Sequence, residues 1–151
     1  MMISTKGRYA VRIMIDLAQN IDNDYISLRD IAKRQEISVK YLEAIISVLH
    51  KNKLVSSMRG KSGGYKLAKE VREYTIGEIL RLTEGGLSPV NCLECQQEDG
   101  CQRSSVCLTF PVWSNLDRLV NEYLDSITLE DVLTNKNVRY RFERVNVSTE
   151  M

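Results

Sequence analysis

Two short capped helices followed by a glycine-rich hairpin are the feature that most constrains the fold of this chain. Ser27 and Ser38 each precede an amphipathic stretch and can cap a helix there. The segment from Gln35 to Ser38 separates the two stretches as a turn. This arrangement predicts a helix-turn-helix, although similar helix pairs occur in many proteins that never bind DNA.

The hairpin that follows strengthens the prediction of a DNA-binding fold. Residues 54–58 and 65–68 have the composition of β-strands, and the basic loop 59–64 connects them. Its glycines allow positive φ and a close approach to a DNA backbone or minor groove. Arg59 and Lys61 supply positive charge there. The pattern predicts the winged form of the helix-turn-helix.

Helices are also predicted on both sides of this unit. Ser4 caps a first helix whose core stripe runs from Ala10 to Ile21, with Arg12 free to face a partner. Thr75 caps a helix that Glu84-Gly-Gly86 ends. The predicted class is therefore mainly α with a small β-hairpin, a winged helix-turn-helix domain plus a long C-terminal helix.

The long helix begins near Thr109, and Thr128 caps a last short helix. Its apolar residues follow a heptad seam, which can pack on its own domain as well as on a partner. The seam comprises Trp113, Leu116, Val120, Tyr123 and Ile127. We predict a DNA-binding domain at 1–84, a cysteine-containing sensor loop at 85–108, the two helices at 109–134 and a flexible tail at 135–151.

Charge is divided unevenly along the chain. Residues 1–72 carry 14 Lys and Arg against 7 Asp and Glu, whereas residues 73–135 carry 3 against 11. The basic first part indicates a polyanionic partner, and the acidic second part argues against a membrane surface. A pattern of solvated surface charge with no partner remains the alternative.

All four cysteines lie in one polar segment with the spacing C-x2-C-x5-C-x5-C. No apolar stretch has the length of a membrane span or resembles a signal sequence, so we expect a cytoplasmic protein. Disulfides are then less expected than metal binding or thiol redox chemistry. Thiolates suit iron–sulfur clusters and zinc alike, and the spacing leaves both open beside redox chemistry.

We predict no enzymatic activity for this chain. It has a single histidine, His50, and no evident pairing of a nucleophile with a base. Cysteine-based catalysis is disfavoured because an acidic loop is expected to raise a thiol pKa.

These stretches resemble the Rrf2 family of bacterial transcription regulators over about residues 2–134. The matching motifs include Ile3-Ser-Thr-Lys-Gly-Arg-Tyr-Ala10, Ile37-Ser-Val-Lys-Tyr-Leu-Glu43, Lys53-Leu-Val-Ser-Ser-Met-Arg-Gly60 and Gly63-Gly-Tyr65. Cys107-Leu-Thr-Phe-Pro-Val-Trp113 and Asp125-Ser-Ile-Thr-Leu-Glu-Asp131 extend the likeness. The resemblance implies a homodimer that is joined through the long helix and binds a pseudo-palindromic operator in double-stranded DNA.

The resemblance also implies that Cys95, Cys101 and Cys107 are ligands of an iron–sulfur cluster, either [2Fe–2S] or [4Fe–4S]. Relatives take the fourth ligand from a histidine after the last cysteine or from a carboxylate near the N-terminus. Here those positions are Phe110 and Arg8. Cys92 is the candidate that remains, with a spare or resolving thiol as its other interpretation.

Ten residues are predicted to face DNA. Lys6, Arg8, Ser27, Lys40 and Tyr41 are candidate phosphate contacts, and Arg59 is a candidate for the minor groove. Glu43 could accept from a cytosine amine or exclude wrong sequences, or simply face solvent near its helix N-terminus. Ser38, Gly60 and Lys61 complete the set, and for His50 an ordinary helix-surface position is preferred.

Two alternatives to a cluster-controlled regulator remain. One is a repressor of cysteine or sulfur metabolism controlled by redox state, zinc or a metabolite. The other is an electron-transfer or cluster-carrier protein, against which the basic glycine-rich hairpin argues.

Overall fold

The computed structural model describes residues 3–22, 24–94, 101 and 103–135. Within those residues it has seven α-helices and one antiparallel hairpin, so the predicted mainly α class with a small hairpin is confirmed. The helices are α1 Thr5–Gln19, α2 Leu28–Gln35, α3 Val39–Lys51, α4 Ile76–Glu84, α5 Asn91–Glu94, α6 Phe110–Asp125 and α7 Leu129–Thr134. Strands β1 Val55–Met58 and β2 Gly64–Leu67 form the hairpin, and a 3-10 turn spans Val71–Glu73.

The helix starts follow the predicted side-chain caps. In each case a hydroxyl oxygen accepts the backbone N–H of the residue three positions on, which satisfies one free donor of the first turn. The capping residues are Ser4, Ser27, Ser38, Thr75 and Thr128. Gly85 ends α4 in the left-handed region with φ 83°, as helix-ending glycines commonly do.

One apolar core joins the first three helices, the hairpin and the end of the described chain. Tyr74 is fully buried at its centre. Its hydroxyl donates to the Leu54 carbonyl oxygen (2.8 Å) and accepts the Lys69 N–H (2.6 Å). Leu129 of α7 is also fully buried in this core. The last short helix therefore packs on the core that the first three helices and the hairpin share, although it follows the long helix in sequence.

The long helix α6 packs through its C-terminal half. Leu124 is its one buried residue, and together with Val120 and Tyr123 it contacts Leu80 and Leu87. The N-terminal half lacks such cover, since Val112 and Leu116 are 57% and 40% exposed.

Two details of the apolar pattern were predicted wrongly. Ile127 is buried but lies beyond the end of α6 at Asp125, so the helical seam stops at Tyr123. Ile21 lies after α1 and is 55% exposed, because the helix ends at Gln19 before reaching it. None of the helices in the described residues has the length and apolar character that a membrane span requires.

A buried carboxylate connects α1 to the end of α2. Asp16 is 2% exposed and accepts from the Arg34 guanidinium through both oxygens, at 2.6 and 2.9 Å. The Gln35 amide donates to it as well, at 2.8 Å. The hydrogen bonds that Arg34 donates to Asp16 raise the pKa of Arg34. These contacts fix α2 just before the turn into α3.

Replacing Asp16 with alanine is expected to lower the free energy of unfolding by about 2–4 kcal/mol, since three N–H donors from Arg34 and Gln35 lose their acceptor. Chemical denaturation followed by circular dichroism measures this change. Asp24→Ala is the matched control, because Asp24 is 77% exposed and pairs with an exposed lysine. We expect the control substitution to lower the free energy of unfolding by about 0.5 kcal/mol or less. Equal decreases in the two variants would contradict the stabilising role of Asp16.

Candidate nucleic-acid interface and cysteine loop

Helix α3 buries one face and presents the other to solvent. Its buried stripe is Leu42, Ile45, Ile46 and Leu49, as its helical spacing predicts. The opposite face is exposed and has no long apolar side chain apart from Val39 at its start. It comprises Val39, Lys40, Glu43, Ala44, Ser47, His50 and Lys51. As the second helix of a helix-turn-helix, α3 has the position that enters a major groove.

The two capping serines of the motif differ in what they can still bind. The Ser38 hydroxyl accepts the Tyr41 N–H (3.2 Å) and, among the described contacts, donates to nothing. Its hydrogen is thus available to a phosphate oxygen. The Ser27 hydroxyl accepts from the Asp30 N–H (3.2 Å) and donates to the Asp30 carboxylate (2.7 Å). A phosphate contact by that hydroxyl requires the carboxylate bond to open.

Tyr41 is half-buried against the first helix. Its ring meets that of Tyr9 edge-on, with centroids 5.8 Å apart, and the Arg12 guanidinium lies 4.8 Å above the Tyr9 ring. Arg12 also donates to the side-chain and backbone oxygens of Gln35, at 3.0 Å each. The prediction that Arg12 is free to face a partner was therefore wrong, because these contacts already hold it. Lys6 is half-buried and Arg8 exposed on the same helix.

The wing is a tight turn whose glycines serve different purposes. The Gly63 N–H donates to the Gly60 carbonyl oxygen (3.0 Å), and Gly60 has φ 114°, a conformation that glycine adopts at little cost. Gly63 and Gly64 have no positive φ. A Cβ on Gly63 would overlap the Met58 carbonyl oxygen, and one on Gly64 would overlap that of Ile26. Positive φ therefore explains one glycine, and close packing the other two.

The wing and α3 form a continuous exposed surface. Arg59 and Lys61 lie exposed at the hairpin tip. At the far end of α3, the His50 Nε2 is 3.1 Å from the Ser57 Oγ of strand β1, and its ring meets Tyr65 edge-on. His50 thus joins the recognition helix to the wing, a position that the helical pattern alone did not indicate.

Positive charge without a carboxylate partner is concentrated on α1, the helix-turn-helix and the wing among the described residues. Within the described ranges, six lysines and arginines have a carboxylate within 4.0 Å: Arg34, Lys66, Lys69, Arg72, Arg81 and Arg118. Those without one, in the same ranges, are Lys6, Arg8, Arg12, Arg29, Lys33, Lys40, Lys51, Lys53, Arg59, Lys61 and Arg103. All but the last precede residue 62. Lys51 and Lys53, which the sequence did not single out, extend this basic surface.

The cysteine loop is only partly described. Cys92 lies on the short helix α5, and Cys92, Cys101 and Cys107 are half-buried free thiols. Cys95 lies outside the described residues. No group of three or more metal-ligating side chains is assembled among the residues that the structure does describe. The donor chemistry nevertheless suits iron or zinc, since soft thiols are the ligands that both prefer.

Cys107 has the environment of a metal-binding or reactive thiol. Its Sγ lies 3.3 Å from the Thr109 Oγ1. Hydrogen bonds to the side chain and backbone of Thr109 lower its pKa, as do the Phe110 backbone and the charge of Arg103. The expectation that an acidic loop raises a thiol pKa is wrong for Cys107, because it lies at the start of α6 beside these donors. A lowered pKa favours the thiolate, which is the form that binds metal.

A capped helix pair, a basic wing and a concentration of unpaired positive charge define the class of winged helix-turn-helix DNA-binding regulators. The family comparison is more specific. The Rrf2 family, described as iron-dependent transcriptional regulators, matches residues 3–135, and the chain belongs to this family.

Individual relatives agree with that assignment. The transcriptional regulator IscR of Serratia proteamaculans is 38% identical over 149 residues, which is 99% of this chain and 89% of the relative. The structure of T. potens IscR has 40% identity and a TM-score of 0.71, covering 89% of this chain and 88% of that one. The structure of CymR, the global cysteine regulator of B. subtilis, has 40% identity and a TM-score of 0.72, and the match covers 91% of this chain and 99% of that one.

The protein is therefore a DNA-binding transcriptional regulator that acts as a dimer, and it is not an enzyme. The winged helix-turn-helix prediction is confirmed, and the same relatives favour a regulator over the electron-transfer or carrier alternative.

Proposed function

We propose that this regulator binds its operator through α3 and the wing, under the control of an iron–sulfur cluster held by the cysteine loop. The unpaired basic surface carries the DNA part of this proposal. We assign phosphate contacts to Lys6, Arg8, Lys40 and Tyr41, and to Ser27 and Ser38 at the N-termini of α2 and α3. Glu43, Arg59, Gly60 and Lys61 are placed at the base edges or the minor groove.

The cluster ligands that we propose are Cys95, Cys101 and Cys107, with Cys92 as the fourth. Support comes from the three thiols of the described loop and from the lowered pKa of Cys107. The family description and the similarity to IscR point the same way. A bound cluster supplies a centre that responds to iron supply and oxidants. The type of cluster, [2Fe–2S] or [4Fe–4S], stays open.

The dimer contact that we propose is the N-terminal half of α6. Val112 and Leu116 are exposed there, and Trp113 is only half-buried. Apolar surface of this kind on a helix is typical of a protein–protein contact. The sensor loop joins α6 to the DNA-binding domain, so that ordering of the loop can alter the separation of the two recognition helices. DNA pitch fixes the half-site spacing, and affinity depends on that separation.

A second candidate is a regulator of cysteine metabolism that uses its thiols without a cluster, through redox state, zinc or a metabolite. The similarity to CymR favours it, as does the reactive environment of Cys107. In either case we place the protein in the cytoplasm, where its DNA partner is.

Purification without oxygen, followed by analysis of iron, sulfide and zinc, separates the two candidates. The protein is then titrated against its own promoter before and after removal of iron. We expect bound iron and sulfide, and an operator affinity that changes by at least about fivefold, in the ordinary range of allosteric coupling. Equal affinities in the two forms, or the absence of iron, would remove cluster control and leave the second candidate.

A further inference from the structure

The wing is anchored in the core at one end and projects into solvent at the other. Leu54 and Val55, at the start of β1, are buried, whereas Ser57 and Met58, at its end, are exposed. Arg59 follows directly after the strand. A two-stranded hairpin is only marginally stable by itself, so contacts with neighbouring elements must fix the direction in which its tip points.

Strand β2 is held on one side by the segment that precedes α2. Ile26 and Tyr65 exchange backbone hydrogen bonds, in which the Ile26 N–H donates at 3.0 Å and the Tyr65 N–H at 2.8 Å. A Cβ on Gly64 would overlap the Ile26 carbonyl oxygen, so the two backbones are in close contact there. Because Ser27 caps α2 directly after Ile26, this pairing connects the wing to the first helix of the helix-turn-helix.

His50, in the last turn of α3, contacts the wing from the second helix of the motif. Its Nε2 is 3.1 Å from the Ser57 Oγ, and its ring meets the Tyr65 ring edge-on with centroids 6.2 Å apart. Ser57 and Tyr65 are directly opposite each other in the hairpin register, so their side chains share one face. One side chain of the recognition helix therefore contacts both strands of the wing, at a point two residues before Arg59.

The direction of the wing matters because α3 and Arg59 occupy different grooves in the proposed complex with DNA. The duplex fixes the separation between a major groove and the adjacent minor groove. Both contacts therefore form together only when the hairpin holds its tip at one place relative to α3. A hairpin that moves freely can still reach the groove, but it loses conformational freedom on binding, and that loss offsets part of what Arg59 contributes.

We propose that His50 is a positioning residue, which holds the wing against the recognition helix and contributes to operator affinity through Arg59 without contacting DNA itself. The effect on DNA rests on the proposed function, in which Arg59 binds at the minor groove. The order that His50 imposes on the wing of the free protein does not depend on that function.

His50→Gln and His50→Asn form a matched pair that tests the contact in the free protein. The glutamine amide has the reach of the histidine Nε2, whereas the asparagine amide is one methylene group shorter and cannot reach Ser57. Hydrogen exchange followed by mass spectrometry of wing peptides measures how well the hairpin is held. We expect exchange at least about threefold faster than wild type in His50→Asn and near the wild-type rate in His50→Gln. Equal exchange rates in the two variants would overturn the proposal.

Operator titrations of Arg59→Ala, His50→Asn and the double variant test the effect on DNA. We expect His50→Asn to weaken binding about three- to tenfold when Arg59 is present and less than about twofold in Arg59→Ala, because the main contact that the wing positions is then gone. No loss, or an equal loss in both backgrounds, would overturn the proposal, since an equal loss means that His50 acts on DNA directly or through general stability. If Arg59→Ala alone leaves operator affinity unchanged, the proposed function is contradicted, and the exchange rates still decide the positioning role.

Discussion

Replacement of Arg59 with alanine is expected to weaken operator binding by about 1–3 kcal/mol, or roughly 5- to 150-fold, as the loss of a specific DNA contact does. Arg59 is exposed beside the turn of the wing and has no carboxylate partner among the described residues. Its guanidinium is therefore free to enter a minor groove, where arginine binds most strongly if the groove is narrow. Fluorescence anisotropy with a labelled operator at fixed salt measures the effect.

Arg72→Ala is the matched control for this substitution. Arg72 is also exposed and lies in the same N-terminal unit, but it pairs with Glu70 at 2.8 Å on the 3-10 turn. We expect its loss to change operator affinity less than about twofold, because an exposed ion pair contributes little. An Arg59 variant that binds the operator as tightly as the Arg72 variant would remove Arg59 from the interface. Random-sequence DNA should show a smaller effect than the operator.

Replacement of Cys107 with alanine is expected to abolish cluster binding. This thiol has the lowered pKa, so it supplies thiolate at neutral pH more readily than an ordinary cysteine does. Anaerobic reconstitution with iron and sulfide, followed by visible absorption and iron content, measures the loss. Cys95→Ala and Cys101→Ala are expected to lose at least about nine-tenths of the bound iron, since an iron–sulfur cluster normally has four protein ligands.

The comparison of Cys92→Ala with Ser105→Ala tests whether Cys92 is the fourth ligand of the proposed cluster. Ser105 is exposed in the same loop, and we expect its variant to bind iron as wild type does. If Cys92 is the fourth ligand, its variant holds a cluster that is visibly less stable in air. A Cys92 variant as stable as the Ser105 control would assign that thiol a different role. A Cys107 variant that retains full iron would refute the proposed ligand set.

The local part of this fold could be predicted because it depends on short-range chemistry. A serine or threonine cap marks a helix start by accepting the backbone N–H of the residue three positions further on. All five predicted caps are present. The buried stripe of α3 follows from helical spacing in the same way. The wing follows from two strand-forming runs around a basic glycine-rich turn.

The misses concern contacts between elements distant in sequence. Arg12 looked free because its partner Gln35 lies 23 residues away. Ile127 fitted a heptad, but α6 had already ended and the chain turned back toward the core. The roles of Gly63 and Gly64 depend on carbonyl oxygens close in space, which composition does not reveal. The structure describes how exposed the predicted DNA-contacting residues are and what surrounds the described cysteines. Their roles in binding DNA or a cluster remain predictions.

The return of α7 to the first core has a consequence for how such regulators diversify. The Ile76 N–H donates to the Ile127 carbonyl oxygen (2.9 Å), and the Leu129 N–H donates to that of Tyr74 (3.0 Å). These bonds join the two ends of the segment that contains α4, the cysteine loop and α6. With both ends fixed to one core, the loop can change in length or ligands at a modest cost in closure entropy. The cysteine loop can therefore vary in sequence while the core formed by the first helices, the hairpin and α7 keeps its fold.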